Sequence, residues 1–151
     1  MIKIFKIEVK IIFYHQNMNI EEKVRAIEES DLLTSEEKSS WVNKLKKADR
    51  RTEKFKKEFG IFYEELSNLV SEFNPINIPI DKENEDEYQL QVEEILNKIK
   101  LISSCKELEE AVVGIFIDGF YREIVEKRAP LYKKMSEAIW QLWQDFSKNR
   151  K

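Results

Sequence analysis

The stretch that decides the fold covers residues 35–73 and reads SEEKSSWVNKLKKADRRTEKFKKEFGIFYEELSNLVSEF. Its apolar residues recur in steps of three and four from Trp41 to Phe73, which is the spacing of one face of an amphipathic helix. Thr34 and Glu37 form a capping-box signature at its start. The pattern therefore predicts one long helix over about residues 35–73, with Gly60 as the position where a bend costs least.

Four shorter stretches carry the same helical period, and they predict helices at about residues 20–32, 85–102, 104–128 and from about residue 130 onward. Asn19 with Glu22 and Ser104 with Glu107 are cap pairs for two of them. Pro130 fits the first turn of the last helix, where a missing backbone N–H costs nothing. The chain is therefore predicted to be mainly α, a single-domain helical bundle of about five helices over residues 1–151.

Two segments depart from the helical pattern. Residues 5–13 alternate apolar and polar side chains, so a short strand is predicted at about residues 4–14, within an N-terminal β or extended element 1–16. The same residues also tolerate a helix, and the only strand partner is residues 76–80, which Pro79 would confine to a sheet edge. An exposed acidic connection is predicted at about residues 74–87, because prolines and charged residues accumulate there.

The rarity of certain residue types excludes much chemistry. The chain has one His, one Cys and three Gly, and these five residues do not cluster in the sequence. A zinc site, a catalytic triad, a glycine-rich phosphate loop or a histidine-containing di-iron site each needs more of them. We therefore expect no metal and no cofactor, and His15 is interpreted as an ordinary residue at a strand end.

The same composition suggests where the protein works. A single cysteine allows no disulfide within the chain, which is typical of a reducing compartment. Charged residues interrupt the apolar N-terminal stretch, and no run of about 20 apolar residues is present to span a membrane. A cytoplasmic protein without a membrane partner is the expectation.

Charge is distributed unevenly along the chain. Residues 41–59 carry eight Lys or Arg against three acidic residues, a net of +5, and residues 60–95 carry one Lys against ten, a net of −9. On the helix, one stripe joins four cations, Lys44, Lys47, Arg51 and Lys54. This stripe could follow a phosphate backbone, which makes nucleic-acid binding one functional hypothesis. A solvated face with ion pairs along the helix is the structural alternative.

One acidic residue lies in the most apolar part of the chain. Asp118 is the only charged residue between Ala111 and Tyr121. Burial would raise the pKa of its carboxyl group, which makes a small enzyme centred on Asp118 a second alternative. The structural interpretation is a buried polar pair between Asp118 and Arg122, four residues later, with the nearby glycines allowing a close helix approach.

The last helix carries aromatic residues that suit either a core or a binding surface. Tyr132, Trp140 and Trp143 are candidates for partner binding, because Trp and Tyr dominate interface hot spots. Trp143 is placed at the edge of the inward stripe that Leu142 and Phe146 continue. The preferred hypothesis is a non-catalytic protein–protein interaction module, a regulator, adaptor or inhibitor, whose partner is another protein or a second copy in a homodimer.

Overall fold

The structure is a computed structural model that describes residues 18–79 and 87–149. All regular secondary structure in these ranges is helical, which confirms the mainly α prediction. The helices are α1 (Ile20–Glu28), α2 (Ser35–Phe59), α3 (Ile61–Phe73), α4 (Gln89–Ile99), α5 (Cys105–Gly119), α6 (Arg122–Lys127) and α7 (Ala129–Asn149). The predicted strand at about residues 4–14, and His15 after it, lie outside the described residues.

The described residues form two compact units, one up to Lys54 together with Glu87, and one made of residues 55–79 and 88–149. The first holds α1 and most of α2. Its small core consists of Ile27, Leu33, Val42 and Leu45. Whether the whole chain acts as a single domain stays a prediction.

The predicted helix starts of α1 and α2 are confirmed by their capping hydrogen bonds. The Glu22 amide donates to Asn19 Oδ1 over 2.8 Å. At α2 the capping box is complete, because the Glu37 amide donates to Thr34 Oγ1 over 3.2 Å and the Thr34 amide donates to Glu37 Oε1 over 3.1 Å. Each cap satisfies backbone donors that the first helical turn leaves without partners.

The long helix predicted over residues 35–73 is in fact two helices, α2 and α3. Gly60 separates them with φ 57° and ψ −129°, a conformation that residues with a Cβ rarely adopt. The apolar seam continues on both sides, so periodicity alone could not locate the break. The sequence predicted only a bend at Gly60, the position at which bending costs the least free energy.

The second unit is built around four helices, α3, α4, α5 and α7. Each packs against two of the others, so that the pairs α3–α4, α4–α5, α5–α7 and α7–α3 close a ring. Neighbours run antiparallel: Phe62 at the start of α3 stacks on Phe146 near the end of α7, with ring centroids 5.0 Å apart. Phe116 near the end of α5 meets Tyr132 near the start of α7 at 5.5 Å. This is an up-and-down four-helix bundle.

The helix predicted over residues 104–128 is also interrupted. It begins at its predicted cap, Ser104, whose Oγ accepts from the Glu107 amide over 3.2 Å, but it ends at Gly119. Phe120 is extended (φ −138°, ψ −153°), and its ring packs on Phe116 and Tyr88 at 6.0 and 6.2 Å. Packing of one aromatic ring thus overrides local helix propensity, and α6 follows as a separate short helix.

The remaining boundaries are close to the predicted ones. Helix α4 covers Gln89–Ile99, somewhat shorter than the predicted 85–102, and Pro130 lies in the first turn of α7 as predicted. The segment 76–79 forms no strand. Residues 80–86, which are half of the predicted acidic connection 74–87, lie outside the described part of the chain. No helix in the described ranges is long and apolar enough to cross a membrane.

Candidate interaction surfaces

The bundle closes at one end through stacked aromatic rings. We call Phe59, Phe62, Trp143 and Phe146 the aromatic end. Ring centroids of Trp143 lie 6.3 Å from Phe59, 5.4 Å from Phe62 and 5.9 Å from Phe146. Phe59 and Phe62 are buried, whereas Trp143 and Phe146 remain half-buried. The end of the bundle is therefore apolar and only partly shielded from water.

Two large apolar side chains at this end are exposed. Ile61, directly after Gly60, is 66% exposed, and Leu101, in the turn that follows α4, is 86% exposed. Lys100, next to Leu101, forms an ion pair with Glu58. The Lys100 ammonium also lies 5.4 Å from the centre of the Phe59 ring, which places the α4 turn beside the aromatic end. Exposed apolar groups beside a charged rim are typical of a protein interface.

Sequence reasoning missed Ile61 and Leu101 as candidate surface residues. Each falls outside the apolar seams used to predict helices: Ile61 is the first residue of α3, after Gly60, and Leu101 lies in the turn after α4. An apolar residue at a helix end that lies off the apolar seam is not required to contact the buried face. That position relative to the helix ends is the signal that could have identified them.

The three predicted partner-binding aromatics have different positions. Tyr132 is completely buried, so the prediction that it contacts a partner is not supported. Trp140 is half-buried on the flank of α7. Trp143 lies four residues after the buried Ile139 and seven after the buried Ser136, so it continues the inward row and does not lie at its edge. Leu142 and Phe146, predicted to point inward, are half-buried.

The opposite end of the bundle, the tyrosine end, is closed by hydrogen bonds to the turn 74–78. The Tyr88 hydroxyl donates to Asn74 Oδ1 over 2.6 Å and accepts from the Ile76 amide over 3.1 Å. The Tyr132 hydroxyl donates to the Pro75 carbonyl over 3.2 Å. Asn74, at φ 46°, also exchanges two hydrogen bonds with Ile78, over 2.7 and 3.1 Å. The turn is therefore a structural element of the bundle.

The surroundings of Tyr132 at the tyrosine end favour the protonated form of its phenol. Burial, and then the neighbouring Tyr88, raise the pKa of Tyr132, while the Arg128 guanidinium lowers it. Arg128 Nη1 in turn donates to the Asn74 carbonyl over 2.8 Å. Because the Tyr132 phenol keeps its proton well above neutral pH, it remains a hydrogen-bond donor to the turn.

The arrangement predicted around Asp118 is not found. Asp118 is exposed, and so is Arg122, whose Nη1 donates to Glu126 Oε1 over 3.3 Å. Helix α5 ends at Gly119, so Asp118 and Arg122 do not share a continuous helix face and the predicted buried pair is wrong. Of the two glycines nearby, an added Cβ would have no neighbour within 4 Å at Gly114, but at Gly119 it would clash with Gln91 Nε2. Of these two positions, only Gly119 is closely approached by another helix, through the Gln91 side chain of α4.

Two further polar side chains in the bundle, Glu93 and Cys105, have surroundings that can be compared with those of a reactive site. Glu93 is 2% exposed and accepts hydrogen bonds from the Tyr63 hydroxyl over 2.8 Å and from Gln89 Nε2 over 3.1 Å. For Cys105, burial and then the charges of Glu137 and Glu109 raise the thiol pKa, which disfavours the reactive thiolate. Glu93 and Cys105 therefore have surroundings that suit a structural role.

The described residues offer little that would hold a small ligand or metal. Residues 18–79 and 87–149 contain no group of three His, Cys, Asp or Glu side chains arranged to bind a metal ion. An open cleft of about 510 Å³ lies between α1 and α2, and Ile20, Val24 and six charged residues line it. Ligand pockets are mostly apolar with a few converging polar groups, which this cleft does not resemble. None of its lining residues belongs to α5, where Asp118 lies.

The predicted basic stripe is largely exposed. Lys44, Lys47 and Lys54 are exposed, whereas Arg51 is half-buried. Arg50, absent from the predicted stripe, is exposed and lies three residues after Lys47 and four before Lys54. The outward row of cations is therefore Lys47, Arg50 and Lys54.

Comparison with known proteins adds no assignment. No protein-family model, no curated protein and no solved structure matches this chain significantly.

Proposed function

We propose that this chain is a non-catalytic protein–protein interaction module, a regulator, adaptor or inhibitor of another protein, acting in the cytoplasm. The observation that supports this most is the pair of exposed apolar side chains, Ile61 and Leu101, beside the partly exposed aromatic end. The lone cysteine, with no partner in the chain for a disulfide, is consistent with a reducing compartment.

The chemistry of this surface suits binding. The apolar side chains that we assign to its centre are Ile61, Leu101 and the half-buried Trp143 and Phe146, and the Glu58–Lys100 ion pair supplies charge near Leu101. Interfaces combine such an apolar centre with a charged, solvated rim, and aromatic residues in the centre carry much of the binding energy. None of these four side chains is a nucleophile, a base or a metal ligand of the usual kinds.

The partner that fits is a protein that presents apolar side chains on an amphipathic helix. We infer that the apolar face of such a helix contacts Ile61 and Leu101. A second copy of this chain is the other occupant that the surface allows, and it would give a homodimer.

The proposal is tested by site-specific photo-crosslinking. A photoreactive amino acid at position 101 should crosslink one defined protein in living cells, and the crosslink should disappear when Ile61→Glu is added. The matched control places the same amino acid at position 32, since Leu32 is also exposed, at 54%, but belongs to the other unit. Crosslinking of the same proteins from both positions, or of none from position 101, would contradict the proposal.

A further inference from the structure

The outer face of α2 has a concentration of positive charge that the proposed interaction surface does not use. Of the five exposed cations between residues 44 and 54, three form one row along the helix; the five are Lys44, Lys46, Lys47, Arg50 and Lys54. The row, Lys47, Arg50 and Lys54, follows the helical spacing of three and four residues. At about 100° per residue, Asp49 and Glu53 lie roughly 90–130° from the middle of this row, so α2 itself places no carboxylate within it. Arg50 also lines the cleft between α1 and α2, together with the acidic side chains Glu21 and Glu28 of α1.

These cations are available to a ligand. Within residues 18–79 and 87–149, none of Lys47, Arg50 and Lys54 forms an ion pair. The Lys44 ammonium lies 4.7 Å from the centre of the Trp41 ring, which holds one further positive charge beside the row. The structural alternative, a face neutralised by ion pairs along the helix, therefore does not describe this row.

The geometry of the row favours an extended anion. Seven residues separate Lys47 from Lys54, a distance of about 10 Å along the helix axis. One DNA strand places a phosphate about every 3.4 Å along its axis, so the row has the length of about three phosphates. The positions flanking the row are polar, and a membrane surface would require apolar side chains there to insert.

We propose that the outer face of α2, centred on Lys47, Arg50 and Lys54, binds the phosphodiester backbone of nucleic acid. The contact is coulombic and carries no sequence information, because lysine and arginine side chains that meet phosphates do not read base edges. This inference is independent of the proposed protein-binding function, since it uses a different helix face and a different class of partner.

The experiment measures binding of the full chain to labelled duplex DNA and single-stranded RNA over a range of salt concentrations. With about three phosphates neutralised, the log–log salt slope on duplex DNA should be near −2.7, so that binding weakens about fortyfold between roughly 50 and 200 mM salt. The triple variant Lys47→Glu, Arg50→Glu, Lys54→Glu should bind at least about tenfold more weakly than the wild type.

The matched control reverses three exposed lysines of the other unit, Lys106→Glu, Lys133→Glu and Lys134→Glu, and changes the net charge by the same amount. It should bind within about twofold of the wild type, and circular dichroism should show both triple variants folded. No binding of the wild type at about 20 mM salt would overturn the inference, as would equal losses in both triple variants. Polyglutamate or anionic vesicles competing as well as nucleic acid would overturn the assignment of a phosphodiester partner.

Discussion

The two ends of the four-helix bundle are closed in different ways. At the tyrosine end, Tyr88 and Tyr132 are buried and their hydroxyls hold the turn 74–78 through hydrogen bonds. At the aromatic end, rings stack on one another, Trp143 and Phe146 stay half-buried, and Ile61 and Leu101 face solvent.

The difference indicates which end is structural and which is open to a partner. The buried hydroxyls of Tyr88 and Tyr132 are both paired, so the tyrosine end tolerates few changes at these two residues, although Tyr121, next to Phe120, is 76% exposed. Stacked rings need no specific partner, and covering them further lowers the free energy of the apolar surface. We therefore propose that the tyrosine end mainly stabilises the folded bundle and that the aromatic end binds a partner.

The largest effect on stability is expected at Tyr132. Tyr132→Ala removes a fully buried ring and its hydrogen bond to Pro75, and it should lower the unfolding free energy by about 3–5 kcal/mol. Trp143→Ala, at a half-buried position, should cost only about 2 kcal/mol. Urea unfolding of both variants measures the two costs. A larger cost for Trp143→Ala would mean that the aromatic end contributes more to folding than the tyrosine end.

Next in size is the effect of the sharp turn before Ile61. Gly60→Ala should lower the unfolding free energy by about 1–3 kcal/mol, because the positive φ of Gly60 is strained for any residue with a Cβ. Nothing lies within 4 Å of the added methyl group, so the cost is conformational. Thermal and urea melts check it. A neutral effect would show that α2 and α3 can join as one straight helix, which would move Ile61 away from its place beside the aromatic end.

The hydrogen bonds of the tyrosine end can be tested without creating a cavity. Tyr88→Phe keeps the ring but removes the hydroxyl that pairs with Asn74 and Ile76. The loss should be about 1–2 kcal/mol of unfolding free energy, since the Ile76 amide is left without its partner. Hydrogen exchange of the turn amides should speed up in the same variant. Unchanged stability and exchange would remove the contrast between the two ends.

The smallest effect, and one of opposite sign, is expected in the middle of α5. Gly114→Ala should raise the unfolding free energy by about 0.5–1 kcal/mol, because alanine favours a helix interior and the new methyl group meets nothing within 4 Å. It is also the matched control for Gly60→Ala. Destabilisation by Gly114→Ala would indicate that α5 approaches another surface at that position.

The sequence predicted helix starts better than helix ends. Asn19, Thr34 and Ser104 mark the starts of α1, α2 and α5 because a cap is a local hydrogen bond that two nearby residues specify. The break at Gly60 has a positive φ, and at Phe120 an extended residue packs its ring on Phe116 and Tyr88; the apolar period records neither feature. Periodicity therefore predicted the helices but overestimated the length of four of them, 20–32, 35–73, 85–102 and 104–128.

The candidate sites were predicted less well than the fold. Asp118 lies in an apolar stretch yet is exposed, because it points away from the face of α5 that buries Val112 and Phe116, and α5 ends at Gly119, before Arg122. Burial of Tyr132 and exposure of Leu101 depend on which helices pack against each other, and the apolar period of one sequence does not show this. Of the four predicted cations of α2, the three lysines are exposed as the helical period predicts, whereas Arg51 is half-buried and the exposed Arg50 was missed.

The central claim is that the aromatic end binds a partner and contributes little to folding at its exposed positions. The double variant Ile61→Glu, Leu101→Glu tests it by titration against the protein crosslinked from position 101, or by sedimentation equilibrium if that protein is a second copy. The account predicts that binding weakens by at least about thirtyfold, or about 2 kcal/mol, while the unfolding free energy in urea changes by less than about 0.5 kcal/mol. Unchanged binding, or a loss of several kcal/mol in folding stability, would contradict it.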